Sequence, residues 1–216
     1  MNEPVVTDEI PLTLPLRDSE VKELTLGQSI RLSGTLITAR DEAHKWLVET
    51  FIRPASQPSP KDLDILAQLR SLLMGGAIYH CGPVVEKKAD GGYRILAAGP
   101  TTSAREEPYE AEVMQFLNLK AVIGKGGMGL RTLEACQQTP AVYLHAVGGA
   151  AALIAQSVTR VVDVFKLEFG VPEALWVLEV RDFPAVVTMD AKGNSLHEQV
   201  RAVSQIELQR LMARNQ

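Results

Sequence analysis

The apolar run Ile95-Leu96-Ala97-Ala98 ends in Gly99-Pro100-Thr101-Thr102-Ser103-Ala104-Arg105, and that junction limits the folds open to the chain more than any other stretch. Pro has no N–H to give a ladder, so a strand stops there. Pro, Thr and Ser then suit the cap and first turn of a helix. Glu106, Glu107, Glu110 and Glu112 follow where the macrodipole favours carboxylates, which predicts a helix from near Thr102 to about Asn118. Strand, tight turn and helix in succession make the unit of an α/β layer. First-turn N–H groups, two Thr hydroxyls and Arg105 would together hold a carboxylate or phosphate. The plain alternative is a capped helix with a solvated Arg105.

The same alternation continues downstream. Residues 119–123 read as a strand running into Gly124-Lys125-Gly126-Gly127-Met128-Gly129, then a helix through Leu130, Leu133 and Cys136. Residues 141–146 read as a strand, followed by Gly148-Gly149 and a small-residue helix over 150–164. The N-terminal third is richer in strands: an edge strand over 10–16, a short helix over 20–24 capped by Asp18 and Ser19, and a strand over 29–39 bulged at Gly34. Asp41 is the expected N-cap of the next helix, which leaves Arg40 at the C-terminal end of a strand, where sheet proteins gather ligands. Leu63, Leu66, Leu69 and Leu73 mark a helix over 62–73, residues 77–80 a short strand into Cys81-Gly82-Pro83, and Asp90-Gly91-Gly92 a hairpin turn. Two strands are expected over 176–180 and 185–189, then a turn at 190–194 and a helical extension from about 195. A single domain over 1–216, mixing parallel and antiparallel sheet, accounts for this order.

The net charge of −4 argues against a nucleic-acid or anionic-membrane surface, so any anion site must rest on a few placed cations. No apolar run approaches the ~18 residues that span a bilayer. Met1-Asn2-Glu3-Pro4 is acidic and broken by Pro, unlike a secretory signal, so cytoplasm is the expected compartment. Cys81 and Cys136 are the only cysteines, and with His44, His80, His145 and His197 they show no zinc spacing. They read as buried hydrophobes, too few for a cubane cluster.

The glycine loop matches G-x-G-x-x-G, but the following strand, Tyr143-Leu144-His145-Ala146-Val147, supplies no acid for a ribose. A Walker loop fails too, since Leu119 stands where its first Gly should and Gly126 follows Lys125. What remains is Lys125 delivered among glycines, open to close approach by a ligand. A parallel sheet would bring Arg40, Thr101, Arg105 and Lys125 to strand ends on one edge, and three cations with a hydroxyl suit a dicarboxylate. The alternative is four unrelated loop residues.

Taken together, Ser33-Gly34-Thr35-Leu36, Ala39-Arg40-Asp41-Glu42-Ala43-His44, Ile78-Tyr79-His80-Cys81-Gly82-Pro83 and the Gly99–Arg105 stretch resemble class I, iron–sulfur-dependent fumarases and L(+)-tartrate dehydratase. Gly124-Lys125-Gly126, Gly148-Gly149-Ala150-Ala151-Ala152, Glu179-Val180-Arg181-Asp182-Phe183-Pro184-Ala185 and Asp190-Ala191-Lys192-Gly193-Asn194 continue the likeness in family order over roughly residues 10–200. The match is to the C-terminal region, or to the separate β subunit of two-subunit enzymes. The resemblance implies a swivelling β/β/α domain with a mostly parallel layer, a barrel-like antiparallel sheet and flanking helices. It also implies that Arg40, Arg105 and Lys125 grip substrate carboxylates, that Thr101 acts in proton transfer, and that Asp41 and His44 support them. A 4Fe-4S cluster is then expected on a partner α subunit, in a heterodimer or α2β2 assembly, with no metal held by this chain. Glu106 departs from the family, which often has Met after this Arg.

The implied chemistry agrees with the residues. Moving a proton α to a carboxylate builds charge that fixed cations stabilise. Loss of the hydroxyl calls for a Lewis acid, which an iron with an open position can supply. The expected function is therefore the β subunit of a hydro-lyase acting on fumarate and malate, with L(+)-tartrate dehydration as the alternative. A non-catalytic carboxylate-binding module is the further alternative.

Overall fold

The computed structural model describes residues 9–213; the acidic N-terminal stretch lies outside them. The elements run β1 (Ile10–Thr13), α1 (Asp18–Glu23), β2 (Ser29–Thr38), α2 (Asp41–Leu47), α3 (Pro60–Leu73), β3 (Ala77–Tyr79), β4 (Val84–Lys87) and β5 (Tyr93–Ala97). They continue α4 (Glu110–Leu117), β6 (Ala121–Gly124), α5 (Leu130–Gln138), β7 (Val142–His145), α6 (Ala151–Ala155), β8 (Val158–Phe165), β9 (Leu175–Met189) and α7 (Leu196–Ala213).

The main sheet has the order β1-β2-β3-β6-β7-β9-β8, and β2 also pairs with β9. The strands β2, β3, β6, β7 and β9 thereby close into a ring. Within it β2, β3, β6 and β7 run parallel, while β9 runs antiparallel to both β7 and β2. The C-terminal ends of the four parallel strands therefore open on one rim, the usual place for a site in a parallel layer. The expected mixture of parallel layer, antiparallel barrel-like sheet and flanking helices is the observed architecture.

Strand pleat divides the core in two. Ala77 and Tyr79 of β3, Ala121 and Ile123 of β6, and Val142 and Leu144 of β7 lie in one apolar cluster. Ile78, Val122 and Tyr143, one residue out of phase, lie in a second cluster with Leu47, Leu69, Leu73, Met114, Leu117 and Cys136 of the helices. Both faces of these strands are covered, which is why they read as continuous apolar runs.

Several sequence expectations are corrected. The strand before Gly99, expected in the parallel layer, is β5, which pairs with β4 in a separate two-stranded antiparallel sheet. Helix α1 is capped by Arg17 and begins at Asp18. The helix from Thr102 is instead a 3-10 turn, Ser103–Arg105, with α4 starting only at Glu110, because Pro108 removes an N–H and disfavours helical backbone before it. Residues 158–165 form β8, since Val158, Thr159, Val161, Val162 and Val164 are β-branched and pair along β9. The two late strands are one, β9, carried through Pro184. Arg40, not Asp41, is the N-cap of α2, and α3 buries Ile65, Leu69 and Leu73 while Leu63 is half exposed. Helix α7 buries no side chain and leaves Val200, Val203, Ile206 and Leu211 exposed.

Candidate active site

The rim collects residues from three segments. Arg40 follows β2; its Nη1 stands 3.0 Å from Glu173 Oε1, and its Nε lies 4.0 Å from Asp41 Oδ1. The guanidinium lies over Gly82, where a Cβ would meet Arg40 Nη1 and the Pro172 carbonyl at 2.8 Å each, so only glycine fits that turn beside it. Asp41 Oδ2 also accepts from Arg105 Nη2. Burial pushes the Asp41 carboxyl up, and Arg105 outweighs it, holding the group below the usual range. Arg40 and Arg105, distant in sequence, thus share one carboxylate.

Thr101 and Lys125 meet through the main chain. The Thr101 N–H donates to the His80 carbonyl at 2.6 Å, the Lys125 N–H to the Thr101 carbonyl at 3.3 Å, and the Ser103 N–H to the Lys125 carbonyl at 3.0 Å. Residues 101–103 are thereby threaded between the ends of β3 and β6. Among the described residues Lys125 has no carboxylate within ion-pairing distance, unlike Arg40 and Arg105. Of the glycines after it, Gly127 serves packing: at its φ of +80° a Cβ would stand 2.5 Å from the His197 ring of α7, whereas one on Gly126 would meet only Thr102 at 3.8 Å.

Beneath the rim lies a buried polar chain that sequence reasoning missed except for His44. Glu110 Oε2 is 2.8 Å from His80 Nε2 and 2.9 Å from His44 Nε2, and all three side chains are fully buried. The His44 approach lies off the hydrogen-bond line, an ion pair more than a hydrogen bond. His44 Nδ1 donates to the Arg40 carbonyl at 2.9 Å, His80 Nδ1 is 2.8 Å from Ser103 Oγ, and Ser103 Oγ accepts from the Tyr143 hydroxyl at 2.9 Å. Glu106 is buried beside them, and burial raises its pKa. The missed signal was that His44 and His80 each follow a strand of the same parallel layer, so both had to reach one rim.

Burial pushes the Glu110 carboxyl up, but His44 and His80 outweigh it and leave it at about 2. Burial pushes His44 down, and Glu110 outweighs that, raising it. The Glu110 contribution to stability is therefore complete above its ordinary 4.5 and lost as pH falls towards 2. The His44 contribution is complete below 6.5 and lost as pH rises through its raised value. Glu106 acts in the opposite sense to Glu110, so the test is a difference. The stability gap between the native chain and Glu110→Gln, from urea melts, should widen as pH climbs from about 2.5 to 4.5; a gap constant over that range contradicts the assignment.

His44, His80 and Glu110 offer three metal-type donor atoms within 4.8 Å of one another, but their N···O separations of 2.8 and 2.9 Å are those of direct pairing. Cys81 and Cys136 sit in separate cores with thiols pushed up to about 12 by burial, so neither fits a cluster ligand. What the rim can do is hold a small anion at several points beside a hydroxyl.

The family model described as Fumarase C-terminus matches residues 2–200. A Geobacillus stearothermophilus protein whose name carries the words fumarate hydratase class I is 45% identical over 191 residues, 88% of this chain but 34% of that protein. The chain thus spans about a third of that relative. The L(+)-tartrate dehydratase subunit beta of Escherichia coli is 38% identical over 186 residues, covering 86% of this chain and 85% of the relative. A Methanocaldococcus jannaschii protein whose name carries the same subunit description is 41% identical over 187 residues, covering 86% and 89% respectively.

Proposed function

Because the chain belongs to the Fumarase C-terminus family, we propose that it is the β subunit of a two-subunit iron–sulfur hydro-lyase interconverting fumarate and malate. The observation that carries this reading is the rim. Arg40 and Arg105 flank Asp41, Thr101 and Lys125 are bonded through the main chain, and all four belong to one strand-end edge. The 45% identity to the Geobacillus protein favours fumarate. The near-complete overlap with two proteins named as tartrate dehydratase β subunits favours a second reading, L(+)-tartrate dehydration by the same residues. The cluster, for which the described residues offer no fitting ligands, belongs on the partner α subunit.

This chain's own work is to bind and to move a proton. Arg40, Arg105 and Lys125 hold the substrate carboxylates, displacing Asp41 and Glu173 from the guanidiniums. In the dehydration direction the Thr101 Oγ, acting as the alkoxide, takes the proton from the carbon next to one carboxylate, and the C–H electron pair forms the double bond. The C–O bond on the neighbouring carbon breaks and hydroxide leaves with its electron pair, a departure that the partner's cluster would assist as a Lewis acid. Charge building on that carboxylate is stabilised by the cations already aimed at it. The hydroxyl receives its proton at a fixed place because Thr101 is pinned at both N–H and carbonyl.

Thr101→Ala in the anaerobically co-expressed complex should lower kcat about 10²–10⁴-fold with little change in KM, assayed on fumarate and on tartrate. Native turnover in that variant would refute the role. A complex that binds dicarboxylates but turns over neither substrate would make this chain a binding module.

A further inference from the structure

We propose that His80 is the positioning residue of the rim, holding the Thr101 segment at both ends, with Ser103 as its handle. The proposal rests on the catalytic role of Thr101 argued above. One residue makes two bonds to this short segment: its carbonyl accepts the Thr101 N–H at 2.6 Å, and its Nδ1 pairs with Ser103 Oγ at 2.8 Å. Between those two bonds the Thr101 side chain has little freedom to wander.

The chemistry of each partner fixes the direction of the chain. Glu110 is ionised and only accepts, so His80 Nε2 carries the hydrogen it gives to Oε2. With that hydrogen on Nε2, the His80 tautomer presents a lone pair at Nδ1 to the Ser103 hydroxyl hydrogen, and the Ser103 oxygen accepts from Tyr143. On the far side Glu110 pairs with His44, whose Nδ1 donates to the Arg40 carbonyl. The chain therefore runs from the main chain of the Arg40 arm to the segment bearing Thr101. It sets their separation without touching substrate.

Strand β6 is shaped around it. A Cβ on Gly124 would fall 1.8 Å from Ser103 Oγ, 3.1 Å from the Tyr143 hydroxyl and 3.2 Å from His80 Nδ1. The last residue of that strand must be glycine for Ser103 to reach the imidazole.

The test uses the assembled complex with Ser103→Ala, which removes the handle, and Gly124→Ala, which evicts it by a clash. Hydrogen exchange of the 101–105 amides reads the segment directly, and steady-state kinetics reads its use. The expected result is faster exchange confined to that segment, with kcat down about 10–100-fold and KM changed less than about threefold. Tyr143→Phe, which keeps the His80–Ser103 bond, should lose less than about tenfold in kcat. Exchange unchanged in both Ser103→Ala and Gly124→Ala overturns the positioning role whatever the activity. Faster exchange with native kcat overturns it as well. In that case Thr101→Ala separates the two ideas: if it is inactive only His80's role fails, and if it is active the catalytic reading of Thr101 has failed first.

Discussion

Arg105→Ala is expected to reduce kcat of the assembled enzyme about 10²–10³-fold, the loss of ~2.7–4 kcal/mol typical of removing one group aimed at developing charge. Arg105 is a cleaner probe than Arg40. Its side chain is half exposed and bonded only to Asp41 among the described residues, whereas Arg40 packs over Gly82 and pairs with Glu173. Truncating Arg105 also leaves Asp41 facing the anion site without its strongest partner, so KM should rise along with the fall in kcat. Arg105→Lys should recover only part of the loss, because an ammonium cannot present two parallel N–H bonds. Kinetics on fumarate and tartrate check this, and native kcat/KM in Arg105→Ala would remove it from the substrate clamp.

The second large effect is on stability. Glu110→Ala takes away the carboxylate between two fully buried imidazoles and leaves His44 and His80 without their shared acidic partner. Breaking a buried pair by deleting one member costs about 3–5 kcal/mol. That is a large share of the ~5–15 kcal/mol a domain commonly has, and at this size it lowers Tm by roughly 6–20 °C. Urea and thermal melts of the complex would show it. A Tm within 2 °C of native, on the order of the shift from about 1 kcal/mol, would mean the cluster carries little of the fold.

The sequence made the rim legible and the layer beneath it obscure, for separable reasons. Arg40 and Lys125 each sit just past an apolar run of the parallel layer, which puts them on one edge. The segment of Thr101 and Arg105 instead follows β5 of the separate hairpin and reaches that edge through its main-chain bonds to His80 and Lys125. Glu106 and Glu110 looked like solvated first-turn acids, because nothing in a one-dimensional pattern says that Pro108 delays the helix and that Glu110 starts α4 facing the core. Residues 150–164 were expected to be helical on the strength of their small residues. The β-branched half paired with β9 instead, a tertiary preference that local propensity undervalues. Strand β9 was split because Pro184 is a poor ladder residue, yet it faces Arg31 within a pairing that simply continues past it.

Ring closure has a mechanical consequence. With β9 stitched to β2 along most of its length and to β7 near its end, the strand ends bearing Arg40, Lys125 and the Thr101 segment cannot spread apart without tearing main-chain bonds. The jaw is cast in one piece. On the proposed two-subunit reading, reactant entry and product escape would come from this whole body parting from the α subunit. A crosslink spanning the two polypeptides is expected to stop turnover while leaving every rim residue in place.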